Sequence, residues 1–542
     1  MTLADLPDVP RRVMRQLIET LVYEGLLPSD GVAGDTVSYR WTVRRRFSFD
    51  RVRLGPERVV RAAVGEATQE ATSPAAFLRD IGPLLRGDAE RRSAFAGELE
   101  RTVANDTAAR RHWLQAARPA GGAGFDELEG LVIDGHPYHP SYKSRLGFSA
   151  LDNAQYGPEF GRPIRPVWVA VRRDLVRCRA LAGAAPEMLG DHVVLPVHPW
   201  QWRTHGPAAW SELVGDGGLI PLGTGSDEYR VQQSIRSLAN SSRPARPTLK
   251  LALSIVNTST ARTLAPHTVA NAPAVSAWLE RIAAADPYLR GELRPVLLAE
   301  RLGVSHSPEL GAIWRDSIHP YLSAGEQAAP FTALTHVDAT GEPFIAPWIK
   351  EHGVEPWVRR LLEVTVSPVL HFLVGHGIAL EAHAQNLILI HAGGRPQRLG
   401  LRDFHDGVRF SVAGLAERDG APALEPTPPE HLRVNRNSYL EAETEEEVRD
   451  FVHDCLFFVN LAELAMFLED NFDLAEERFW SLARRVVEDH RRRFPELAVR
   501  ADRFDVLAPE VSVEQLTSRR LLPDTEVRMQ RVRNPLSLVD AY

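Results

Sequence analysis

Glu381-Ala-His-Ala-Gln-Asn386 runs into Leu387-Ile-Leu-Ile390, then His391-Ala-Gly-Gly394-Arg-Pro396, then Gln397 through Asp403-Phe404. Leu387 to Ile390 is a short, fully apolar run. Gly393-Gly394 and Pro396 mark a turn, and Arg398-Leu-Gly-Leu-Arg402 is a second short run. Run, glycine turn and second run are the signals of a β-hairpin. A hairpin centred near Gly394 sets Asn386 opposite Asp403 at its open end, where facing Cα atoms lie roughly 5 Å apart. Glu381, His383, Gln385 and Asn386 are therefore expected to crowd beside Asp403 and His405. The bland alternative is a polar strand end with solvated loops. The convergence of so many hydrogen-bonding and titratable groups favours a site.

Outward from the hairpin, Trp357 to His376 reads as a long apolar helix leading through Gly377-Ile-Ala-Leu380 into Glu381. An Asn and an Asp at the open end of a hairpin are also how protein kinases hold magnesium on ATP. Glu441 to Phe494 reads as helical, with acidic Glu443-Thr-Glu-Glu-Glu447 at a helix start, where carboxylates suit the dipole. Phe457, Phe458, Phe467 and Phe472 are expected in a core.

Near the N-terminus, Asp8 to Leu27 has the spacing of an amphipathic helix. Val37 to Leu54 looks like a strand pair whose Arg44-Arg45-Arg46 is expected on a solvated face. Ser73 to Ala117 is mostly helical, and Gly121-Gly-Ala-Gly124 is a plausible linker. The next segment, Gly135-His-Pro-Tyr-His-Pro-Ser-Tyr-Lys-Ser-Arg-Leu-Gly-Phe148, carries two histidines three apart. Pro137 and Pro140 prevent the helix that would aim both at one metal. A rigid loop presenting His136, His139, Lys143 and Arg145 suits polyphosphate better; the alternative is a proline-rich surface turn. Val193-Val-Leu-Pro-Val-His-Pro-Trp-Gln-Trp202 reads as a buried strand ending in His198, with Trp200 and Trp202 expected as packing. Ser234 and Arg236 sit at a strand end. Thr248 to Arg262 reads as a strand carrying Lys250 on one face, then a turn where Thr258, Ser259 and Arg262 form a cradle for a carboxylate or phosphate.

The chain of 542 residues is too long for one core. A hydrophobic share of 44% with 25% charged residues fits an ordinary globular protein. No apolar run reaches the roughly 18 residues of a membrane helix, and the first residues lack a signal-peptide pattern, so a cytoplasmic protein is expected. Two cysteines, Cys178 and Cys455, give no thiolate metal site. A net charge of −8 argues against general nucleic-acid binding. Of the 63 basic residues only Lys143, Lys250 and Lys350 are lysines, against 60 arginines. A chain this biased keeps lysine where a compact ammonium is needed, although Lys350 reads as a chance survivor.

In this order, the segments resemble the NRPS-independent siderophore synthetases, the aerobactin-synthetase-like family. They are the loop 136–148, His-Pro-Trp-Gln-Trp at 198–202, Ser-x-Arg at 234–236, Lys250 through Arg262, and Gly-Ile-Ala-Leu-Glu-Ala-His-x-Gln-Asn at 377–386 with Arg-Asp-Phe at 402–404. Arg533-Asn-Pro-Leu536 also looks like the family's ending, and Ala384 stands where glycine is commoner. The resemblance implies an α+β, cupped-hand architecture: thumb 1–125, fingers 126–315 and palm 316–542, the palm resembling the large lobe of a kinase. It implies an enzyme that adenylates a carboxyl group of citrate or a related polycarboxylate with ATP and Mg²⁺, then joins it to an amine or hydroxyl nucleophile. It further implies phosphate contacts from His136, His139, Lys143, Arg145, Ser234 and Arg236. Mg²⁺ is expected on Asn386, Asp403 and Glu381, and the acid on Lys250, Thr258, Ser259, Arg262, His383 and Gln385. His383, Arg262, Lys250 and Glu381 are the expected catalytic set, and the resemblance admits a homodimer.

Two other readings compete. A small-molecule kinase with the same palm would release ADP, but the chain lacks a kinase glycine-rich loop and a His-Arg-Asp. A non-catalytic citrate or siderophore carrier would have no use for a metal pair.

Overall fold

The computed structural model describes residues 9–116, 121–258, 260–417, 420–433, 436, 438–523 and 525–541. Helix and sheet mix throughout, around several buried clusters rather than one. The first gathers the helix Val9–Tyr23, the short strands that follow it and the helices Pro74–Ile81 and Ala89–Ala116. Val13, Leu17, Ile18 and Leu21 of the first helix are fully buried, as helical spacing demands. Leu521 joins this cluster from the far end of the chain.

The expected strand pair between Val37 and Leu54 divides. Val37–Arg40 belongs to a four-stranded sheet, and Val43–Arg45 pairs with Val52–Leu54. The arginine triplet there is not simply a solvated face. Arg46 is buried, and its Nε meets Glu476 at 2.6 Å and its Nη1 meets Asp470 at 2.9 Å. A buried guanidinium needs such partners, so the triplet ties the N-terminal strands to a helix 430 residues later.

The middle of the chain builds a seven-stranded sheet and a four-stranded antiparallel sheet over two apolar clusters. The segment read as one strand from Thr248 is two. Thr248–Leu251 lies inside the seven-stranded sheet, and Leu253–Asn257 forms a separate ribbon with Thr260–Arg262. The buried strand His192–Val197 ends at His198, as expected. His198 is wholly buried, and its Nδ1 accepts from the Trp200 amide at 3.1 Å, capping the helix Pro199–Ala209. Trp200 packs on Phe148 and Trp202 lies beside Trp210, as expected.

The largest cluster holds the helix Val354–His371, the hairpin and the C-terminal helices. The hairpin forms as read: Leu387–Ala392 and Arg395–Leu401 pair from Leu387↔Leu401 up to the Gly393-Gly394 turn. Gly394 has φ +79°, and a Cβ there would lie 2.2 Å from Trp348, so only glycine fits. Thr444 caps Glu445–Val452 with three acids in its first turn. Phe457 and Phe458 are buried in this cluster, with Phe467 and Phe472 packed at its edge. Among the described residues one helical run, Glu445–Phe472, is long and apolar enough to cross a membrane, but 72% of its apolar window is buried inside the protein as core.

Candidate active site

Three neighbouring strands of the seven-stranded sheet supply one wall. Lys250 stands opposite Ile313, while Thr248 and Glu300 both stand opposite Arg315. Strand side chains alternate with a period of two, so Lys250, Arg315 and Glu300 share a face. All three are buried. The loop after the hairpin forms the other wall. Lys250 Nζ lies 3.1 Å from Asp403 Oδ2, and Arg315 Nη1 donates to Asp403 Oδ1. Arg315 Nη2 donates to Gln232 at 2.9 Å. Next to this contact, His405 Nδ1 meets Glu300 at 2.7 Å.

Burial opposes the charge on Asp403, but Lys250 and Arg315 outweigh it and hold its carboxyl well below the usual carboxylate range. Burial pushes the Lys250 ammonium down to about 8, with Asp403 pulling it up and Arg236 pushing it further down. Lys250 is thus the most readily titrated cation of the wall.

Arg236 donates to the Thr263 carbonyl at 2.6 Å. Arg262 Nη2 donates to Thr258 Oγ1 at 2.7 Å and to the Asn257 carbonyl at 2.9 Å, which builds the expected turn. Ser259 lies outside the described residues. Arg262 Nε is buried with no hydrogen-bond partner, as are Arg315 Nε and His139 Nε2. Burial and Arg236 push the Arg262 guanidinium down to about 10, while Glu381 pulls it back up. Burial, then His383, pushes His136 down to about 3, with Arg262 acting in the same direction. His136, Arg262, His383 and Glu381 therefore share one electrostatic neighbourhood, although they come from distant parts of the chain. His383 Nε2 lies 3.8 Å from Glu381 Oε1. Gln385 is half-buried, and its carbonyl accepts from Arg402.

Three expectations need correction. Asn386 does not face Asp403. Its carbonyl accepts from the Arg402 amide at 3.1 Å, and its side-chain amide donates to Glu381 at 3.1 Å. Asp403 lies one residue further on, turned at φ +66°. The other two concern Lys143 and Arg145, which are not presented to the cleft. Lys143 is buried against Asp106 at 2.6 Å and Glu159 at 3.3 Å, and Arg145 meets Glu159 at 2.7 Å. These two cations hold the loop's shape. His139 is also buried, its Nδ1 3.3 Å from Ser141 Oγ.

Backbone strain marks the same place. Ile235, Thr258 and Asp403 all have positive φ, from +58° to +66°. A β-branched residue such as Ile235 in this region is a genuine outlier, and such residues collect at functional sites. Ser234, Ile235 and Arg236 form a tight turn in which Ser234 Oγ accepts from the Ser237 amide at 3.2 Å.

Sequence reasoning missed Arg315, Glu300, Gln232 and Asp406. Asp406 is half-exposed; burial opposes its charge, and His405, Arg236 and Lys250 overcome it and lower its pKa. Arg315 was hidden among 60 arginines. The unbroken apolar run Leu310-Gly-Ala-Ile-Trp314 before it shows no alternation that would single it out.

Residues 124–336 match the model described as the IucA / IucC family, and residues 355–529 match one described as a ferric iron reductase FhuF-like transporter. The chain is 36% identical to the citryl-spermidine/3,4-dihydroxybenzoyl-citryl-spermidine:spermidine ligase of Bacillus anthracis, over 98% of this chain and 94% of that one. The chain belongs to the siderophore synthetase family. A second relative of this synthetase is 2-[(L-alanin-3-ylcarbamoyl)methyl]-3-(2-aminoethylcarbamoyl)-2-hydroxypropanoate synthase of Staphylococcus aureus, 38% identical over 98% of this chain and 93% of the relative. Among solved structures, the petrobactin biosynthesis protein AsbB of Bacillus anthracis superposes with a TM-score of 0.88 at 35% identity, covering 98% of this chain and 95% of that one. Both of the curated relatives span the two matched regions together, so the synthetase is one ligase of siderophore biosynthesis rather than a fusion of unrelated parts.

Proposed function

We propose that the synthetase activates a carboxyl group of citrate, or of a related polycarboxylate or its half-amide, with ATP and transfers the acyl group to an amine. The observation that carries this is a set of buried donor atoms, those of Lys250 and Arg315 on the sheet wall and Nε of Arg262 on the separate ribbon, with Nε of both arginines lacking an acceptor. Buried donors without acceptors call for an anionic ligand. The two named relatives above act on citrate-derived and polyamine or diamine-bearing compounds by their names, which fits a polycarboxylate here.

A carboxylate is a poor acyl donor at neutral pH. Attack of its oxygen on the α-phosphorus of ATP forms a mixed anhydride with AMP and expels pyrophosphate. An amine then attacks the carbonyl carbon, and AMP leaves with the electron pair of the C–O bond. The protein's part is positioning and charge neutralisation. Arg236 and His139 meet phosphate oxygens. Arg262, Thr258, His383 and Gln385 hold carboxylates and the hydroxyl of the acid. Lys250 sits between the two groups and stabilises charge on the transferring phosphoryl oxygen.

The oxygen donors of Glu381, Asn386 and Asp403 suit Mg²⁺, a hard cation that takes carboxylate, amide and water oxygens. The Asn386 amide N–H already donates to Glu381, which would leave its amide oxygen as the donor to such a cation. Held there, the ion would neutralise negative charge on the nucleotide's phosphates. The hand-like division, with residues 316–542 built as a kinase-like lobe, is part of the same proposal.

The nucleotide product tests the reaction. Incubation with ATP, citrate and a panel of diamines and polyamines should release AMP and pyrophosphate in equal amounts. ADP as the nucleotide product would replace the ligase with a kinase.

A further inference from the structure

Away from the cleft, one carboxylate and two imidazoles meet at a point. Asp286 closes the helix Pro266–Ala285. His371 ends the helix Val354–His371, and His376 ends the wide π-type turn Phe372–His376 that follows. On a regular helix of about 3.6 residues per turn, side chains five apart diverge by about 140°. The π-type turn removes that divergence and sets both imidazoles on one side; such turns in long helices recur at functional sites. Gly377 closes the turn at φ +80°, where a Cβ would lie 2.2 Å from the Gly414 carbonyl oxygen.

The atomic arrangement is specific. His371 Nε2 lies 3.0 Å and His376 Nε2 3.1 Å from the same oxygen, Asp286 Oδ2. The other oxygen, Oδ1, accepts from the Tyr288 and Leu289 amides at 2.8 and 2.9 Å, which fixes the carboxylate's direction. The donor atoms all lie within 4.8 Å of one another. Tetrahedral ligands at about 2.0–2.1 Å from a zinc ion stand about 3.3 Å apart, so the observed nitrogen–oxygen separations need only a small expansion. A third histidine backs the site: His490 Nε2 is 2.9 Å from His371 Nδ1. Hydrogen bonding to the far nitrogen of a ligating histidine is how outer groups orient it. Tyr288 and Phe494 pack against the His371 ring. The side chains of His376 and Asp286 remain 22% and 14% exposed, which leaves a side open for water.

We propose that Asp286, His371 and His376 form a binding site for a first-row divalent cation of the zinc class, separate from the catalytic cleft. Two imidazole nitrogens and one carboxylate oxygen suit Zn²⁺ and its neighbours over Mg²⁺ or Ca²⁺, which take oxygen ligands. The ion ties the end of one long helix to the end of another. The second of these leads through the buried strand Ile378–Leu380 directly into Glu381 and the loop that carries His383 and Asn386. The cation therefore braces the base of the catalytic loop without touching substrate. This site does not depend on the ligase chemistry proposed above.

The full-length protein, stripped with a chelator, is titrated with Zn²⁺ alone and with Co²⁺ as a spectroscopic stand-in. One equivalent of Zn²⁺ is expected to bind and raise Tm, and Co²⁺ is expected to show d–d absorption from a nitrogen–oxygen site. Asp286→Asn keeps an acceptor for the Tyr288 and Leu289 amides, and His376→Gln changes a partly exposed side chain. Each should weaken Zn²⁺ at least about tenfold, the low end of what outer-shell changes alone cause. Asp403→Asn, which alters the cleft, should leave the equivalent intact. Failure of wild-type protein to bind Zn²⁺ overturns the proposal. So does an equivalent that disappears in Asp403→Asn yet survives His376→Gln. Should Asp286→Asn not fold, the Co²⁺ spectrum of His376→Gln decides the matter alone.

Discussion

Lys250 shows how much one residue type can say. Among three lysines it is the one buried on the cleft wall, 3.1 Å from Asp403 and flanked by Arg236 and Arg315. Lys350 is exposed in the last turn of a short helix, and Lys143 is locked in carboxylates away from the cleft. Lys250→Arg is expected to lower kcat/KM severely, because a planar fork cannot occupy the place of a point charge between two guanidinium groups. Lys350→Arg is expected to be neutral, and steady-state kinetics of the pair checks the contrast. With a pKa near 8, Lys250 loses its proton as pH rises through that value. The alkaline limb of kcat/KM, which reports the free enzyme, should therefore fall above about pH 8. Stability moves the other way. Above about pH 8 and below the ordinary lysine pKa the unfolded chain holds more protons than the folded one, so this group favours folding more as pH rises through that window.

Arg262 and His383 come from distant parts of the chain, and Glu381 acts on both. Losing a buried arginine–carboxylate contact costs about 2–5 kcal/mol. Arg262→Ala should therefore cut kcat/KM for the acid by tenfold or far more, with a much smaller effect on ATP affinity. Separate titrations of ATP and acid check this; loss of the ATP site alone would move Arg262 to the phosphates.

At the scale of elements, the cleft depends on registers as much as on residues. The diagonal Lys250–Arg315 arrangement exists because Thr248, not Lys250, stands opposite Arg315. A one-residue slip between the two strands would leave Lys250 and Arg315 on opposite faces of the sheet. The hairpin works similarly: pairing from Leu387↔Leu401 leaves Asp403 beyond the ladder, free to adopt φ +66° and reach the sheet wall. Arg315→Ala is expected to leave Asp403 with Lys250 as its remaining close cation. Breaking a buried pair costs about 3–5 kcal/mol, and the carboxyl pKa should rise from its depressed position. The variant should lose both stability to denaturant and ligase activity. Unchanged denaturation midpoints would show that Lys250 alone holds Asp403.

At the scale of the whole molecule, the two ends of the chain are fastened together. Glu24 accepts from the Thr517 and Ser518 amides, Arg520 meets Glu98, and Arg46 meets Glu476. The Arg46–Glu476 pair is almost fully buried on both sides. Arg46→Ala should destabilise the fold by about 3–5 kcal/mol through the stranded Glu476 charge. At temperatures well below Tm its kcat/KM should stay near the wild-type value, since neither residue lines the cleft. Thermal melts with parallel rate measurements check both halves of that expectation.

The sequence by itself determined the hairpin, the long helix before it, the acidic helix start and the phenylalanine core. Each of these follows from local rules: a glycine turn, a 3.6-residue period, a cap. It also determined the family, because the order of short motifs is preserved along the chain. Only the tertiary structure decided which charges meet. Asp403 found Lys250 and Arg315, His405 found Glu300, Lys143 turned inward to Asp106, and Asp286 met His371 and His376. Sequence periodicity says which face a side chain takes but not which distant face it will oppose. Electrostatic partners are chosen by how sheets and helices dock over long separations, and an isolated motif carries no record of that.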